Sequence, residues 1–193
     1  NAPWAEITIF NVGKGEESLL DNAHTQIRTL LTETPDPAYV INMSIAYERN
    51  VDGMFSVFDV LRSSIGPRSV FVVAAGNDGK SLSTMALLPG SLGGIQSPNI
   101  ITVAAHDTTG RIIDRSNRDD AVVDIAAPGC GIHSWLSNAD LTTPMDGTSM
   151  ATPLVTFGAL TAAIIAVFTI LAGAGILLPT FFWSVGLIKE VDA

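Results

Sequence analysis

Apolar positions along the chain fall into runs of two kinds. "AYVINMSI" (Ala38–Ile45) and "SVFVVAAGN" (Ser69–Asn77) are continuous apolar segments, the pattern of strands covered on both faces. "NIITVAA" (Asn99–Ala105) and "AVVDIAA" (Ala121–Ala127) read the same way, and "EITIFNV" (Glu6–Val12) is a short β-rich run. Between them the period changes. Leu19, Leu20, Ala23, Ile27, Leu30 and Leu31 recur at close to helical spacing and predict a helix within 16–31. "MFSVFDVLRSSIG" (Met54–Gly66) predicts another, stopped by Gly66 and Pro67. Strands alternating with helices require crossovers, so the expected fold is α/β: a mostly parallel sheet with helices on both faces, in three layers. Ligands in such sheets bind beyond the carboxyl ends of the strands. That rim would carry Asn77, the end of "INMS" and the loop before Ser149.

From Thr148 to Ile188 there is no charged residue. Its first half predicts a buried helix entered at Gly147–Ser149 and ending near Val167, with Pro153 tolerated in the first turn. Val155–Leu178 is also long and apolar enough to span a bilayer. The chain therefore divides into residues 1–168, one α/β unit, and an apolar helical region, 169–193. Residues 169–188 read either as packed tail or as membrane anchor; Lys189 against Glu190 and Asp192 supplies no positive-inside signal.

Composition narrows the partners. The 193 residues carry a formal net charge of −9, which argues against nucleic acid, since phosphates need a basic face. The hydrophobic share of 47% against 15% charged is that of a chain with a packed core. Cys130, the only cysteine, excludes an intrachain disulfide and reads as a small buried side chain rather than a reactive thiol. There is no basic, apolar leader at the start, and the opening Asn1 suggests a piece of something longer.

The candidate chemistry centres on "DGTSMATP" (Asp146–Pro153). A serine hydroxyl is a poor nucleophile until a base takes its proton and donors stabilise the resulting oxyanion. A helix N-terminus helps with the second task, because its unpaired N–H groups and dipole favour negative charge. Gly147 permits a tight turn and close approach. A serine in such a place is also an ordinary helix cap.

"GTSMATP" (Gly147–Pro153) resembles the nucleophile motif of the subtilisin-like serine proteases, the subtilases. "VINMSI" (Val40–Ile45) is similar to the family's cleft-lining strand, and "VVAAGND" (Val72–Asp78) to its oxyanion segment. "SPNIITVAA" (Ser97–Ala105), "VDIAAPG" (Val123–Gly129) and "APWAEI" (Ala2–Ile7) resemble three more segments, in family order. The resemblance implies Ser149 as nucleophile, with Asn77 and the Ser149 N–H as oxyanion donors. In the family's type member, loss of that asparagine costs about 10²–10³ in turnover. The resemblance also makes Ser44, Ile45 and Ala46 the edge that pairs with an extended peptide. Ala75 and Gly76 become one wall of the primary side-chain pocket, with Asp78 able to bias it toward basic groups.

The family's Asp and His motifs are absent from these residues, so the N-terminal part of the peptidase domain is expected to be missing. His24, His106 and His133 do not stand at the family position, and Asp114, Asp124 and Asp146 have no partner motif. In the type member, removing the histidine alone costs about 2 × 10⁶ in turnover. The chain by itself is accordingly expected to be inactive. Ala46–Tyr47 replaces a usual glycine pair and predicts a bulkier cleft edge. Leu154 and Phe157 replace a usual histidine and glycine, predicting overpacking worth about 1–3 kcal/mol.

The functional expectation is a serine endopeptidase acting on peptide or protein substrates through an acyl-enzyme, completed by an upstream half. The other open reading is a non-catalytic module that binds extended peptide or a partner chain. No cofactor is expected; the family often binds calcium, but no ligands are assignable here. By resemblance the location is extracellular or the cell envelope.

Overall fold

The computed structural model describes residues 7–9, 25–30, 32, 39–48, 69–85, 87–95, 97–134 and 144–173, with side chains as far as 162. Four apolar runs make one sheet. Strands β1 (Tyr39–Met43), β3 (Ser69–Ala74), β5 (Ile100–His106) and β6 (Ile125–Pro128) lie side by side in that order, every pairing parallel. Two short strands, β2 (Tyr47–Glu48) and β4 (Leu87–Leu88), form a separate antiparallel pair. A 26-residue helix, α1 (Thr148–Gly173), follows β6.

Side-chain alternation along the strands sorts the core into two layers. On one face Tyr39, Ile41 and Met43 of β1 gather with Phe71 and Val73 of β3, Ile100 of β5 and Leu88 of β4. Ile27 joins them from the helical stretch 25–30. On the other face Val40, Val70, Val72, Ile101, Val103 and Ala105 meet Ala127 of β6 and Ala151 and Val155 of α1. Helices thus cover both faces, as the alternating pattern predicts. The small Ala105, Ala127 and Ala151 let α1 lie close against the sheet.

Parallel strands put all their carboxyl ends on one rim. Met43 leads there into Ser44, Ala74 into Ala75–Asn77, and Pro128 into Gly129, whose carbonyl receives the Gly147 N–H at 2.7 Å. The start of α1 is pinned to that rim.

Several expectations change. The strand expected over Ala121–Ala127 is shorter and later, because Asp124 spends its carboxylate on the Thr102 and Gly94 N–H groups and residues 121–122 turn. Residues 7–9 of the expected Glu6–Val12 run are in no strand, with Ile7 74% and Ile9 87% exposed. Pro153 sits in the second turn, since α1 already begins at Thr148, and the helix runs to Gly173 rather than Val167. Leu154 and Phe157 are 46% and 55% exposed, so they overpack nothing among the described residues. Of the helix expected at 16–31, residues 25–30 are helical; the one expected at 54–66 lies outside the described residues. Among residues with described side chains, no helix is long and apolar enough to cross a membrane, and the 169–188 question falls beyond them.

Candidate active site

The local geometry around Ser149 follows from its neighbours. A proline at position 153 removes the N–H that would bond the carbonyl four residues back, which is Ser149's own. The Ser44 hydroxyl fills that vacancy, donating to the Ser149 carbonyl at 3.1 Å. In return the Ser149 hydroxyl donates to the Ser44 carbonyl at 3.2 Å. Asn42 donates to the Ser44 hydroxyl at 3.0 Å and accepts from the Thr156 hydroxyl at 2.9 Å. The end of β1 and the first three turns of α1 are therefore laced together by short polar side chains.

The N-terminus of a helix exposes four backbone donors. In α1 the Thr148 N–H goes to the Asn77 side-chain oxygen at 2.9 Å, while Met150 and Ala151 donate to the Gly147 carbonyl at 3.0 and 3.4 Å. The Ser149 N–H alone has no partner among the described residues. Asn77, part-buried on the loop after β3, acts as the helix cap from 71 residues away. Its orientation is dictated by chemistry: the Thr148 N–H can only donate, so the side-chain oxygen must face it. The Thr148 hydroxyl donates to the same oxygen at 3.2 Å. The Asn77 amide nitrogen is left pointing away, also without a partner among the described residues. Two glycines make the approach feasible. Gly76 has φ +95° and Gly147 φ +147°, and a Cβ on Gly147 would lie 3.0 Å from the Asn77 oxygen.

The site thus holds a hydroxyl and two N–H donors without a partner among the described residues, at the positive end of a helix. Such a set can attack a carbonyl carbon and hold negative charge on its oxygen, given a base. The described histidines lie elsewhere: His106 ends β5 and its Nδ1 is 2.7 Å from the Asp107 carbonyl, and His133 is exposed beyond β6. His24 lies outside the described residues.

Among the predicted binding residues, the structure gathers Ser44 and Gly76 with Ser149 and Asn77, since the Gly76 N–H donates to the Thr148 hydroxyl at 3.2 Å. Ile45 packs against the core beneath the rim, and Ala46 is exposed. Ala75 is fully buried with Leu82 and Leu87. Tyr47 is not the bulky cleft edge expected of it. It pairs with Leu88 and packs on the core, and burial pushes its phenol pKa up. Asp78 is exposed, with one carboxylate oxygen 3.2 Å from the Asn117 amide nitrogen.

Cys130 is half-buried rather than buried. Its thiol bonds the Asp146 carboxylate, which raises the thiol pKa and so makes it less reactive. Asp146 is held below the usual carboxylate range, first by the Gly131 N–H at 2.6 Å and then by that thiol. Among the described residues no group of three or more His, Cys, Asp or Glu side chains could hold a metal ion.

Sequence reasoning passed over Thr148 and Asn117, both fully buried. Thr148 could have been flagged as a polar residue inside the nucleophile motif. Asn117, in "DRSNRDD", carries no local signal, because its partners lie about 40 residues away.

With this geometry in hand, comparison with known proteins adds four findings. The subtilase family model matches residues 1–171. "Subtilisin-like protease 2" of Pseudogymnoascus destructans is 40% identical over 96 residues, 49% of this chain and 22% of its own length. "Alkaline protease 1" of Aspergillus oryzae is 30% identical over 158 residues, 79% of this chain and 36% of its own. A crystal structure of a cold adapted subtilisin-like serine proteinase superposes with a TM-score of 0.57 at 25% identity, covering 75% of this chain and 46% of the other. The chain spans between about a fifth and two fifths of the length of these curated relatives.

Proposed function

The chain belongs to the subtilase family, and from that premise we propose that it is the serine-bearing part of a subtilisin-like endopeptidase. The observation that carries the reading is the shared helix end, where Asn77 caps α1 and both its own amide nitrogen and the Ser149 N–H have no partner among the described residues. In the proposed reaction the Ser149 oxygen bonds to the scissile carbonyl carbon and its proton passes to an imidazole. The carbonyl oxygen becomes an anion held by the two donors. When it collapses the C–N bond breaks, the leaving amine takes the proton, and water later releases the acyl group.

A histidine and an aspartate from outside these residues would supply the base. Without them the Ser149 hydroxyl keeps its proton and donates it in a hydrogen bond to the Ser44 carbonyl, an acceptor far too weak a base to generate an alkoxide. That observation favours inactivity of this chain alone. It equally suits the second reading, a subtilase-like module that binds extended peptide at the Ser44–Ala46 edge without cleaving it. Ala75 and Gly76 would bound the side-chain pocket through their backbone. The reading takes a peptide or protein as substrate and an upstream half as partner, outside the cell or in its envelope. Residues 1–168 would form the peptidase portion, with 169–193 as packed tail or anchor, and no cofactor is assigned.

A fluorophosphonate separates the readings. Ser149 should label in the full-length protein and not in residues 1–193 alone, and Ser149→Ala should abolish labelling. A full-length protein that binds peptide but never labels would leave the module reading in its place.

A further inference from the structure

Asn117 is fully buried, yet it is an amide, and every hydrogen-bonding position on it is used. Its side-chain oxygen accepts from the Asp78 and Lys80 N–H groups, both at 3.0 Å. Its amide nitrogen donates to the Ala75 carbonyl at 2.9 Å and the Asp78 carboxylate at 3.2 Å. Its backbone N–H donates to the Gly76 carbonyl at 2.9 Å. All five bonds land on residues 75–80, on both sides of Asn77 and none on Asn77 itself.

The clamp is itself anchored. Ser116 accepts the Ala105 N–H of β5 with its hydroxyl oxygen at 3.0 Å and donates to the Asn117 carbonyl at 3.0 Å. Gly79 donates to the Arg115 carbonyl and Arg118 to the Lys80 carbonyl, at 2.8 and 3.0 Å. Only a side chain of this length with two donors and two acceptors satisfies the set. An aspartate would keep the acceptors, lose both donors and face the Asp78 carboxylate.

We infer that Asn117 is a positioning residue: it fixes the 75–80 loop so that the Asn77 amide nitrogen stays aimed beside Ser149. The inference rests on the proposed function for its kinetic readout and on geometry for its structural one. In the full-length protein, Asn77→Ala should slow Ser149 phosphonylation by about 10²–10³, the range known for the matching donor in this family. Asn117→Asp should slow it by about 10–100-fold at a similar inhibitor affinity, since only part of that stabilisation is lost.

The decisive comparison is the double variant. If Asn117 acts through Asn77, adding Asn117→Asp to Asn77→Ala should slow labelling by less than about 3-fold further. A structural role alone would multiply the two losses. Should Asn117→Asp fold poorly, Asp78→Ala removes one partner of the clamp at an exposed position. It should cost a few-fold in rate, again lost in the Asn77→Ala background. Labelling at the wild-type rate, or fully multiplicative losses, overturns the inference. If the wild-type protein never labels, the proposed function falls, and NMR of the chain decides this point separately. The Asn77 side-chain NH₂ and Thr148 amide resonances should shift in Asn117→Asp, and unchanged resonances overturn the clamp.

Discussion

Replacing Gly76 with alanine tests the clamp by stability rather than chemistry. Gly76 has φ +95°, where a side chain costs about 1–2 kcal/mol of backbone strain. Its added Cβ would sit 2.5 Å from the Asn117 amide nitrogen and 2.8 Å from Leu87 Cδ1. Neither neighbour can step aside cheaply. Asn117 would break bonds to Ala75 and Asp78, and Leu87 is 5% exposed within the core. Forcing an extra methyl into such packing costs about 1–3 kcal/mol. Losing glycine's freedom in the unfolded chain returns about 0.4–1 kcal/mol. The centres of these ranges put the net loss at about 3 kcal/mol. Gly110→Ala is the matched control, with φ +82° and nothing within 4 Å of the new Cβ, so strain alone should leave it about 1 kcal/mol less stable. Urea unfolding of the chain reads both, and Gly76→Ala should lower the midpoint by about 1 M or more. A Gly76→Ala loss no larger than that of Gly110→Ala would show that Asn117 does not press on the loop, and the reasoning would fail.

Two further perturbations probe the surroundings. Phe71→Ala, at a fully buried position on the face shared with Ile27, should cost about 3–5 kcal/mol by the same unfolding assay. Asp119 accepts from the Ser83 and Ser81 hydroxyls and from the Ser83 and Ala121 N–H groups, which hold its pKa well below the ordinary carboxylate value. A depressed folded pKa means its stabilisation is full above the unfolded value of about 3.9 and fades as pH falls toward the folded one. Unfolding midpoints measured from pH 5 down to pH 2 should fall less steeply in Asp119→Asn than in the parent.

Patterns that repeat over neighbouring residues could be read without a structure. Continuous apolar runs announced β1, β3 and β5, because strands of a covered parallel sheet are apolar on both faces. The charge-free run after Gly147 announced α1, and the order of motifs announced the family. Ser149 and Asn77 could be singled out as candidates for the same reason, each inside a contiguous segment. Tyr47 was misjudged, because the direction of a side chain depends on what stands opposite it. Tyr47 turns inward to Leu88 and the core.

Local order along the chain determined which segments become strands and helices, since backbone propensity and burial period act over a few residues. Tertiary structure alone decided which groups meet at the rim. Pro153 strands the Ser149 carbonyl, but only the arrival of Ser44, 105 residues away, satisfies it. Asn77 becomes a helix cap, and Asn117 a clamp, only once β3, β5 and α1 are packed side by side. Hydrogen bonds reach about 3 Å, so partners this far apart in sequence are chosen by the fold and leave no trace in local pattern.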